Sequence, residues 1–259
     1  MEKNKECMVL ITSCYAYRDV LKNFEYFFHK YWPDCPFPVV LNIDKPLKDY
    51  ALDYDQVVVS PHKENLVRMR EVSFRTPYVL LMQDDHFLFD RVDNDAVLRC
   101  VQYAKKYHCG NLRLIQDPKT TDVFSEAEQL MEYKPGKAYR ISARGGVWET
   151  VYLKRFIDVF KDLWEMERHG QNLSNRIDRK VLCTKYRVLP MIDAVHKGYY
   201  EDFACMILEA NGISAGRKQM SNAQKAKEYL KGAILDWNPE LITGIQDKWN
   251  IGYKHSYSK

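Results

Sequence analysis

RTPYVLLMQDDHFL, residues 75–88, is the stretch of sequence that decides the fold. Five apolar residues, Tyr78 to Met82, are followed after one glutamine by Asp84, Asp85 and His86. An apolar run without polar alternation is typical of a strand covered on both faces, as in the centre of a mostly parallel sheet. Ligands of such sheets bind at the carboxyl ends of the strands. The stretch therefore predicts a central strand that ends in a polar binding site.

The two adjacent acids indicate a metal site, with an ordinary turn as the alternative. In a strand interior, Asp84 and Asp85 would point to opposite faces of the sheet. At a strand end both carboxylates can approach one cation, and carboxylate oxygens are the ligands that Mg²⁺ and Mn²⁺ prefer. A solvated turn carrying two acids would look the same in the sequence, because acidic residues are common in turns.

Composition predicts one α/β domain in a reducing compartment. Of the 259 residues 46% are hydrophobic, which is enough for a large core. The seven cysteines are odd in number and include no Cys-x-x-Cys pair, which predicts free thiols and argues against a zinc site or a disulfide framework. The polar start, Met1 to Glu6, is unlike a secretory leader, and no apolar run is long enough to span a membrane. We expect a cytoplasmic protein, soluble or peripheral on the inner face of the membrane.

The C-terminal segment is basic. Residues 214–259 hold eight Lys and Arg against four Asp and Glu, whereas the rest of the chain is balanced. The segment also holds large aromatic residues, among them Trp237, Trp249, Tyr253 and Tyr257. Basic residues interleaved with aromatic ones suit an anionic membrane surface or a nucleic acid, but an ordinary solvated helix packed on the core would have the same composition. We predict a domain at residues 1–212 and a basic extension at 213–259.

Strands alternate with helices before the opening stretch. Apolar runs predict three strands: Met8–Ile11, Pro38–Ile43 and Gln56–Val59. Helical periodicity follows the first strand up to Pro33, and a second helix, with Arg68 and Arg70 in polar positions, leads to residue 75. This order predicts right-handed crossovers and a mostly parallel sheet flanked by helices. The strand ends that should then line one crevice carry four polar residues: Thr12, Asp44, Asp84 and Asp85.

The pattern continues after the acids. A helix capped by Asp93 or Asn94 and closed by Gly110 is predicted to lead into a strand at Asn111–Leu114. Residues 116–137 are only weakly periodic. Loops of that length are usually functional or mobile, so we expect this segment to cover part of the site.

Two adjacent glycines mark the next turn. A short strand at Ala138–Ile141 is followed by Gly145 and Gly146, which predict a turn into a helix that runs on to Glu167. Glycines allow a ligand or another backbone to approach closely, and a helix N-terminus favours an anion or sugar hydroxyls.

The chain contains no glycine fingerprint for phosphate binding. Neither G-x-G-x-x-G nor G-x-x-x-x-G-K-[ST] occurs, which argues against a dehydrogenase and a P-loop enzyme. A diphosphate held by a divalent cation is the better hypothesis for the acidic strand end.

Several groups of residues together resemble small bacterial glycosyltransferases of the GT-A fold that build surface polysaccharides. The groups are Thr12–Tyr15, Asp44, Thr76–His86, Gly146–Trp148 and Trp164–Glu167. The resemblance covers residues 7–210 and implies a Rossmann-like, mostly parallel sheet in a single domain with a C-terminal extension. One departure is the Asp-Asp pair, where the commoner motif is Asp-x-Asp.

The resemblance implies a donor site at the strand ends. The residues it assigns to the nucleotide-sugar are Thr12, Ser13, Tyr15, Asp44, Asp84, Arg144 and Trp148. The residues it assigns to a Mn²⁺ or Mg²⁺ ion are Asp85, Asp84 and, late in the chain, His196. His86 could support the acids, ligate the metal or simply pack, and Arg144 could instead be an ordinary surface residue.

A catalytic base is implied downstream. Glu167 would deprotonate the acceptor hydroxyl, and its neighbours Trp164 and Met166 would desolvate it and raise its pKa. Glu165 is the second candidate. Two further carboxylates, Glu149 and Glu201, stay open.

The implied activity is sugar transfer from a nucleotide-sugar, a UDP-sugar by preference, to a saccharide or polyprenol-linked acceptor, with inversion. No nucleic acid partner is expected, and the basic tail would contact the membrane that carries the acceptor. One alternative is a sugar-phosphate nucleotidyltransferase, which would need a glycine-rich loop after the first strand, where Cys14 to Arg18 contains no glycine. The other is a non-catalytic protein that binds sugars or nucleic acid.

Overall fold

The first compact unit of the chain, Met1–Met191, is built on a nine-stranded sheet in the order β3-β2-β1-β4-β9-β6-β10-β8-β7. In this computed structural model residues 3–47, 53–137, 139–226 and 230 are described. The strands of the unit are β1 Cys7–Thr12, β2 Val39–Ile43, β3 Gln56–Val59, β4 Tyr78–Gln83, β5 His86–Leu88, β6 Cys109–Arg113, β7 Val123–Ser125, β8 Leu130–Glu132, β9 Gly146–Glu149 and β10 Lys180–Thr184, and β11 Met191–Asp193 lies at its end. Its helices are α1 Arg18–Tyr31, α2 Asn65–Met69, α3 Asn94–Lys106, α4 Thr150–Val159 and α5 Leu163–Ser174.

Most strands of the described sheet run in the same direction, although only half of the neighbouring pairs are parallel. β3, β2, β1 and β4 all run in one direction, and β6 runs parallel to β10. β9 lies between β4 and β6 and is antiparallel to both, while β8 and β7 form an antiparallel edge. The predicted α/β class, with a mostly parallel central sheet flanked by helices, is confirmed.

Both faces of the sheet are buried, which explains the apolar runs without alternation. Met8, Leu10, Val79 and Leu81 pack on one face against α2, α4 and α5. The residues between them in sequence point to the other face and are equally buried: Val9, Ile11, Leu80 and Met82. The strands predicted at 8–11, 38–43, 56–59 and 78–82 are therefore all present, shifted by no more than one residue at either end.

α2 differs from its prediction. It has only five residues, and Arg68, which was predicted to face solvent beside Arg70, is buried. Helical periodicity predicted the wrong face because the two terminal nitrogens of the buried guanidinium donate to backbone carbonyls, which a sequence pattern does not reveal.

Gly110 does not close α3 as predicted. The helix is capped at its start by Asp93, as one of the two predicted caps, and the residue with positive φ after its end is His108, at 50°. Gly110 lies inside β6, where a Cβ would come within 2.6 Å of the Tyr152 ring. The glycine is needed there for packing and not for a helix end.

The segment between β6 and α5 contains more strand than predicted. Residues 116–137 include the hairpin of β7 and β8, which extends the sheet, so they are not a structureless loop. No strand forms over residues 139–141. The glycine pair leads into β9 and not into a helix, because Gly146 is enclosed between β4 and β6.

The long helix predicted to reach Glu167 is two helices. α4 ends at Val159, and Asp162 begins α5 by accepting a hydrogen bond from the Glu165 amide at 2.8 Å. In return the Glu165 carboxylate accepts from the Lys161 amide at 2.9 Å. This is a variant of the capping box, because the return bond goes to the amide one residue before the cap. It satisfies the Glu165 amide at the helix start and fixes the preceding turn.

The second unit, Ile192–Lys259, is described as far as residue 226 and at residue 230. It holds a tight hairpin of β12 Val195–His196 and β13 Tyr199–Tyr200, turned by Lys197 and Gly198 at positive φ, and helix α6 Asp202–Ala210. The predicted boundary at residue 212 lies inside this unit and stays a prediction. Most of the predicted extension lies outside the described residues. Across the described part of the chain, no helix combines the length and the apolarity that membrane crossing requires.

Candidate active site

Three parallel strands end side by side at one edge of the sheet. Thr12, the last residue of β1, lies opposite Asn42 of β2 and opposite Gln83 of β4. Asp44 is the first residue after β2, and Asp84 is the first residue after β4. The expectation that these residues share one edge is therefore confirmed, and we call this edge the carboxyl edge. The buried Thr12 hydroxyl makes no hydrogen bond with any described residue.

The turn after β1 is fastened to both neighbouring strand ends. The Ser13 hydroxyl donates to a carboxylate oxygen of Asp84 at 2.6 Å. The Tyr15 amide donates to the Asp44 carboxylate at 2.5 Å, and the Ser13 amide donates to the Asn42 carbonyl at 3.0 Å. Asp84 and Asp44 thus order the turn that carries Ser13 and Tyr15, which were predicted to bind the nucleotide-sugar.

Arg68 anchors this turn, a role that its sequence pattern did not predict. Its guanidinium donates to the Ser13 carbonyl at 2.8 Å and to the carbonyls of His62 and Lys63 at 3.1 and 2.6 Å. A buried arginine that reaches three carbonyls fixes several backbone segments at once. It also places a positive charge beneath a site rich in carboxylates.

The pKa of the Cys14 thiol is shifted by the charged groups around the crevice. Burial, together with the carboxylates of Asp84 and Asp44, raises the pKa of this thiol to about 12, and Arg68 opposes this rise. The three charged groups therefore converge around this side chain. The thiol stays protonated near neutral pH, so Cys14 is no nucleophile.

Asp84 and Asp85 have different surroundings. Asp84 is buried and bound to Ser13, whereas a quarter of the Asp85 side chain is exposed. The buried His86 ring accepts the Gln83 amide at Nδ1, at 3.2 Å, so its neutral form carries hydrogen on Nε2. That nitrogen lies 3.9 Å from Asp85 Oδ1. His86 supports the turn, and Asp85 is the more accessible of the two acids.

The chemistry of this pair fits a divalent cation that a substrate helps to bind. Mg²⁺ and Mn²⁺ commonly take one or two carboxylates from the protein and complete their coordination with phosphate oxygens and water. Asp85 and Asp84 provide such a pair. Within residues 3–47, 53–137 and 139–226, no group of three or more His, Cys, Asp or Glu side chains gathers, either here or elsewhere, so substrate oxygens and water would complete the coordination.

Two cations flank the aromatic ring at the start of the crevice. The Arg18 guanidinium lies 4.8 Å from the centroid of the half-buried Tyr15 ring, and the Lys45 ammonium lies 5.8 Å from it. Cations over an aromatic face are attracted by its π system. Tyr15 therefore presents a ring and two positive charges close to Asp44.

The loop before β9 reaches the same edge from the other side. Because β9 is antiparallel, its first residue Gly146 lies opposite Leu81 of β4 and Arg113 of β6, near the carboxyl ends of both. Gly145 has a φ of 32°, and a Cβ there would lie 2.7 Å from the Met191 sulfur. Arg144, which precedes it, forms an ion pair with Asp117.

Glu167 is brought to this loop by two hydrogen bonds. One oxygen of its carboxylate accepts from the Ser142 hydroxyl at 2.9 Å and from the Ala143 amide at 2.8 Å. Burial raises its pKa, while these hydrogen bonds and the charges of Arg113 and Arg144 oppose the rise. Trp164 and Met166 were predicted to desolvate the carboxylate and raise its pKa. Trp164 is 40% exposed, however, and the carboxylate is bound by Ser142 and Ala143 of the loop.

The other candidate bases have structural explanations. Glu165 caps α5 through its carboxylate. Glu149 is held by Arg179 in a two-point ion pair and lies opposite Tyr78, the first residue of β4, so it sits at the opposite edge of the sheet. Glu201 occupies the N-cap position of α6 in the second unit. These contacts do not favour a role as base for Glu165 or Glu149, and both roles stay predictions.

Two further predicted ligands remain. Trp148 was predicted to bind the donor, but its side chain is fully buried in the core beside Tyr152 and Phe156, so this assignment is wrong. Its place on β9 puts it on the face of the sheet that packs against α4 and α5. His196 is exposed in the hairpin of the second unit, and its role as a metal ligand stays a prediction.

Comparisons with known proteins find structural similarity only. No family model matches the chain, and no curated protein does. Solved structures of Staphylococcus aureus TarS are similar. TarS 1–349 gives a TM-score of 0.41 at 12% identity over 72% of this chain and 59% of that one. TarS 1–349 in complex with UDP-GlcNAc gives 0.42 at 12% identity, over 72% of this chain and 57% of that one. The chain thus spans less than two thirds of these structures.

Proposed function

We propose that the chain is a metal-assisted glycosyltransferase of GT-A type that uses a UDP-sugar and transfers the sugar to a saccharide or polyprenol-linked acceptor. The observation that supports this best is the pairing of two unlike groups at one edge of the sheet. An accessible acid, Asp85, follows β4, and a carboxyl group with a raised pKa, Glu167, is held by the loop that enters the neighbouring strand β9.

The turn after β1 suits the nucleoside half of the donor. Tyr15 offers an aromatic ring with two cations beside it, and Asp44 is already fixed by the Tyr15 amide. Thr12 and Ser13 line the strand end below. Asp85, with Asp84, would hold Mn²⁺ or Mg²⁺, which when bound neutralises negative charge on a departing diphosphate.

Glu167 is suited to the proton transfer. In the proposed step its carboxylate takes the proton from an acceptor hydroxyl as the acceptor oxygen forms a bond to the anomeric carbon. The bond from that carbon to the diphosphate oxygen breaks, and the nucleoside diphosphate leaves with the electron pair. A single displacement of this kind inverts the configuration at the anomeric carbon. A carboxylate with a raised pKa is a stronger base than an ordinary one.

The residues that the structure leaves untested complete the proposal. Arg144, on the loop beside the crevice, would bind the diphosphate or an acidic acceptor. His196, late in the chain, would be a further ligand of the metal ion. The cytoplasmic location and a membrane contact through residues 213–259 belong to the same proposal. The basic tail lies mostly outside the described residues.

A sugar-phosphate nucleotidyltransferase is the weaker alternative. Such an enzyme would need backbone amides after β1 to grip a triphosphate. Here the Ser13 and Tyr15 amides already donate to Asn42 and Asp44.

Thermal unfolding with UDP and Mn²⁺ tests the proposed donor. A ligand that binds only the folded state at 100 times its Kd should raise Tm by about 5–10 °C for a chain of this size. We expect UDP and UDP-sugars to do so with Mn²⁺ and to do much less with EDTA. Uridine and inorganic diphosphate are the matched controls. Equal shifts from UDP, GDP and CDP would contradict the uridine preference, and no shift with any of them would contradict the donor site.

A further inference from the structure

Arg113, the last residue of β6, is fully buried at the carboxyl edge. Its guanidinium lies 4.0 Å from the centroid of the Tyr133 ring. It donates to the carbonyl of Asp117 at 2.6 Å, to that of Tyr139 at 2.6 Å and to that of Arg140 at 2.5 Å. Burying an arginine is costly unless its donors are satisfied. Here the two terminal nitrogens reach two separate backbone segments, while the buried Nε makes no hydrogen bond with a described residue.

Two of these carbonyls belong to the segment that holds Glu167. Residues 139–143, here called the base-holding segment, run from the carbonyls that Arg113 binds to the groups that bind the Glu167 carboxylate, Ser142 Oγ and the Ala143 amide. The segment has no helix or strand hydrogen bonds over these residues. Its position therefore depends on side chains, and Arg113 contributes two contacts from the sheet.

We propose that Arg113 is a positioning residue for Glu167: it fixes the base-holding segment to the end of β6, so that Ser142 and Ala143 keep the carboxylate at the carboxyl edge. This inference rests on the role proposed above for Glu167. Arg113 donates to backbone carbonyls and not to that carboxylate, so its action is through the segment and through its charge.

The charges around Glu167 give this proposal a second consequence. The groups that face its carboxylate are Arg113 from β6, Arg144 from the loop before β9 and Tyr139 from the base-holding segment. Arg113 and Arg144 both lower the pKa of Glu167. Removing the Arg113 charge should therefore raise the Glu167 pKa further, and the carboxyl group should titrate at higher pH.

Two measurements that do not depend on activity test the proposal. Amide hydrogen exchange follows the Ala143 amide, and ¹³C NMR titration follows the Glu167 carboxyl group, assigned with Glu167→Gln. In Arg113→Met we expect exchange at Ala143 to accelerate at least tenfold and the Glu167 midpoint to move to higher pH. Arg113→Lys keeps a charge without the planar fork, so the exchange should accelerate while the midpoint moves less. If the Met variant does not fold, the Lys variant supplies the comparison.

Arg70→Met is the matched control. Arg70 also donates to three backbone carbonyls, those of Ile157, Asp158 and Phe160, but none of them lies in the base-holding segment. Its loss should leave both readouts at Ala143 and Glu167 unchanged. Wild-type exchange at Ala143 in folded Arg113→Lys, or equal acceleration in Arg70→Met, would overturn the proposal. Failure of the proposed function would show separately, as undiminished UDP release by Glu167→Gln.

Discussion

Replacing Glu167 with Gln is expected to lower kcat for sugar transfer by about 10²–10⁴-fold, the usual contribution of a general base. Glutamine keeps the size and can still accept the hydrogen bonds from Ser142 and Ala143, but it cannot take the acceptor proton. UDP affinity should therefore stay within about twofold. Initial rates of acceptor-dependent UDP release, together with calorimetric titration of UDP, measure the two quantities separately.

Glu165→Gln is the control, since it lies two residues away on the same helix and caps that helix. Its kcat should match the wild type although its thermal stability falls. An equal loss of kcat in both variants would point to disruption of α5, and an unchanged kcat in Glu167→Gln would remove Glu167 as the base.

The pH dependence of the rate follows from the same carboxyl group. The base must be deprotonated, and burial holds its pKa above the ordinary value of about 4.3. The wild-type rate should therefore fall as the pH drops through this raised pKa and level off above it. Glu167→Gln should lack that acid limb.

Asp85→Asn is expected to lower kcat/KM by about 10³-fold, because a bound cation stabilises the negative charge on the leaving group by several kcal/mol. The amide is nearly the same shape as the carboxylate but loses its charge, so the fold should be kept. Calorimetry should show that Mn²⁺ no longer tightens UDP binding. The supporting neighbour His86 stays in place.

Asp90→Asn is the control for the loss of one negative charge in this region. Asp90 is exposed and its carboxylate accepts from the Arg91 amide. Its Mn²⁺ dependence should be that of the wild type. A wild-type response to Mn²⁺ in Asp85→Asn would show that the cation binds elsewhere or takes no part.

The sequence predicted the parts of the fold that depend on local pattern. Strands β1 and β4 are buried on both faces, so their apolar runs are unbroken and easily read. The placement of Thr12, Asp44 and Asp84 at one edge then follows from the connectivity of parallel strands. These residues form the donor side of the proposed site.

Contacts between distant residues were beyond such patterns. β9 was mistaken for a helix start because the pair Gly145 and Gly146 looks like a turn, and only its place between β4 and β6 makes it a strand. Arg68 was assigned to the surface because helical periodicity does not register carbonyl partners. Glu167 was selected by resemblance, but Ser142, which holds it, lies 25 positions away in sequence.

Paramagnetic broadening by Mn²⁺ tests the central claim, that the carboxyl edge is the donor site. Amide resonances would be recorded with UDP and Mn²⁺ and compared with UDP and Mg²⁺. We expect Tyr15, Asp85 and Gly145 to broaden strongly, while Thr76 and Glu149, roughly 20 Å away at the opposite edge of the sheet, stay sharp. Broadening centred on Thr76 and Glu149, or absent from the carboxyl edge, would contradict the account.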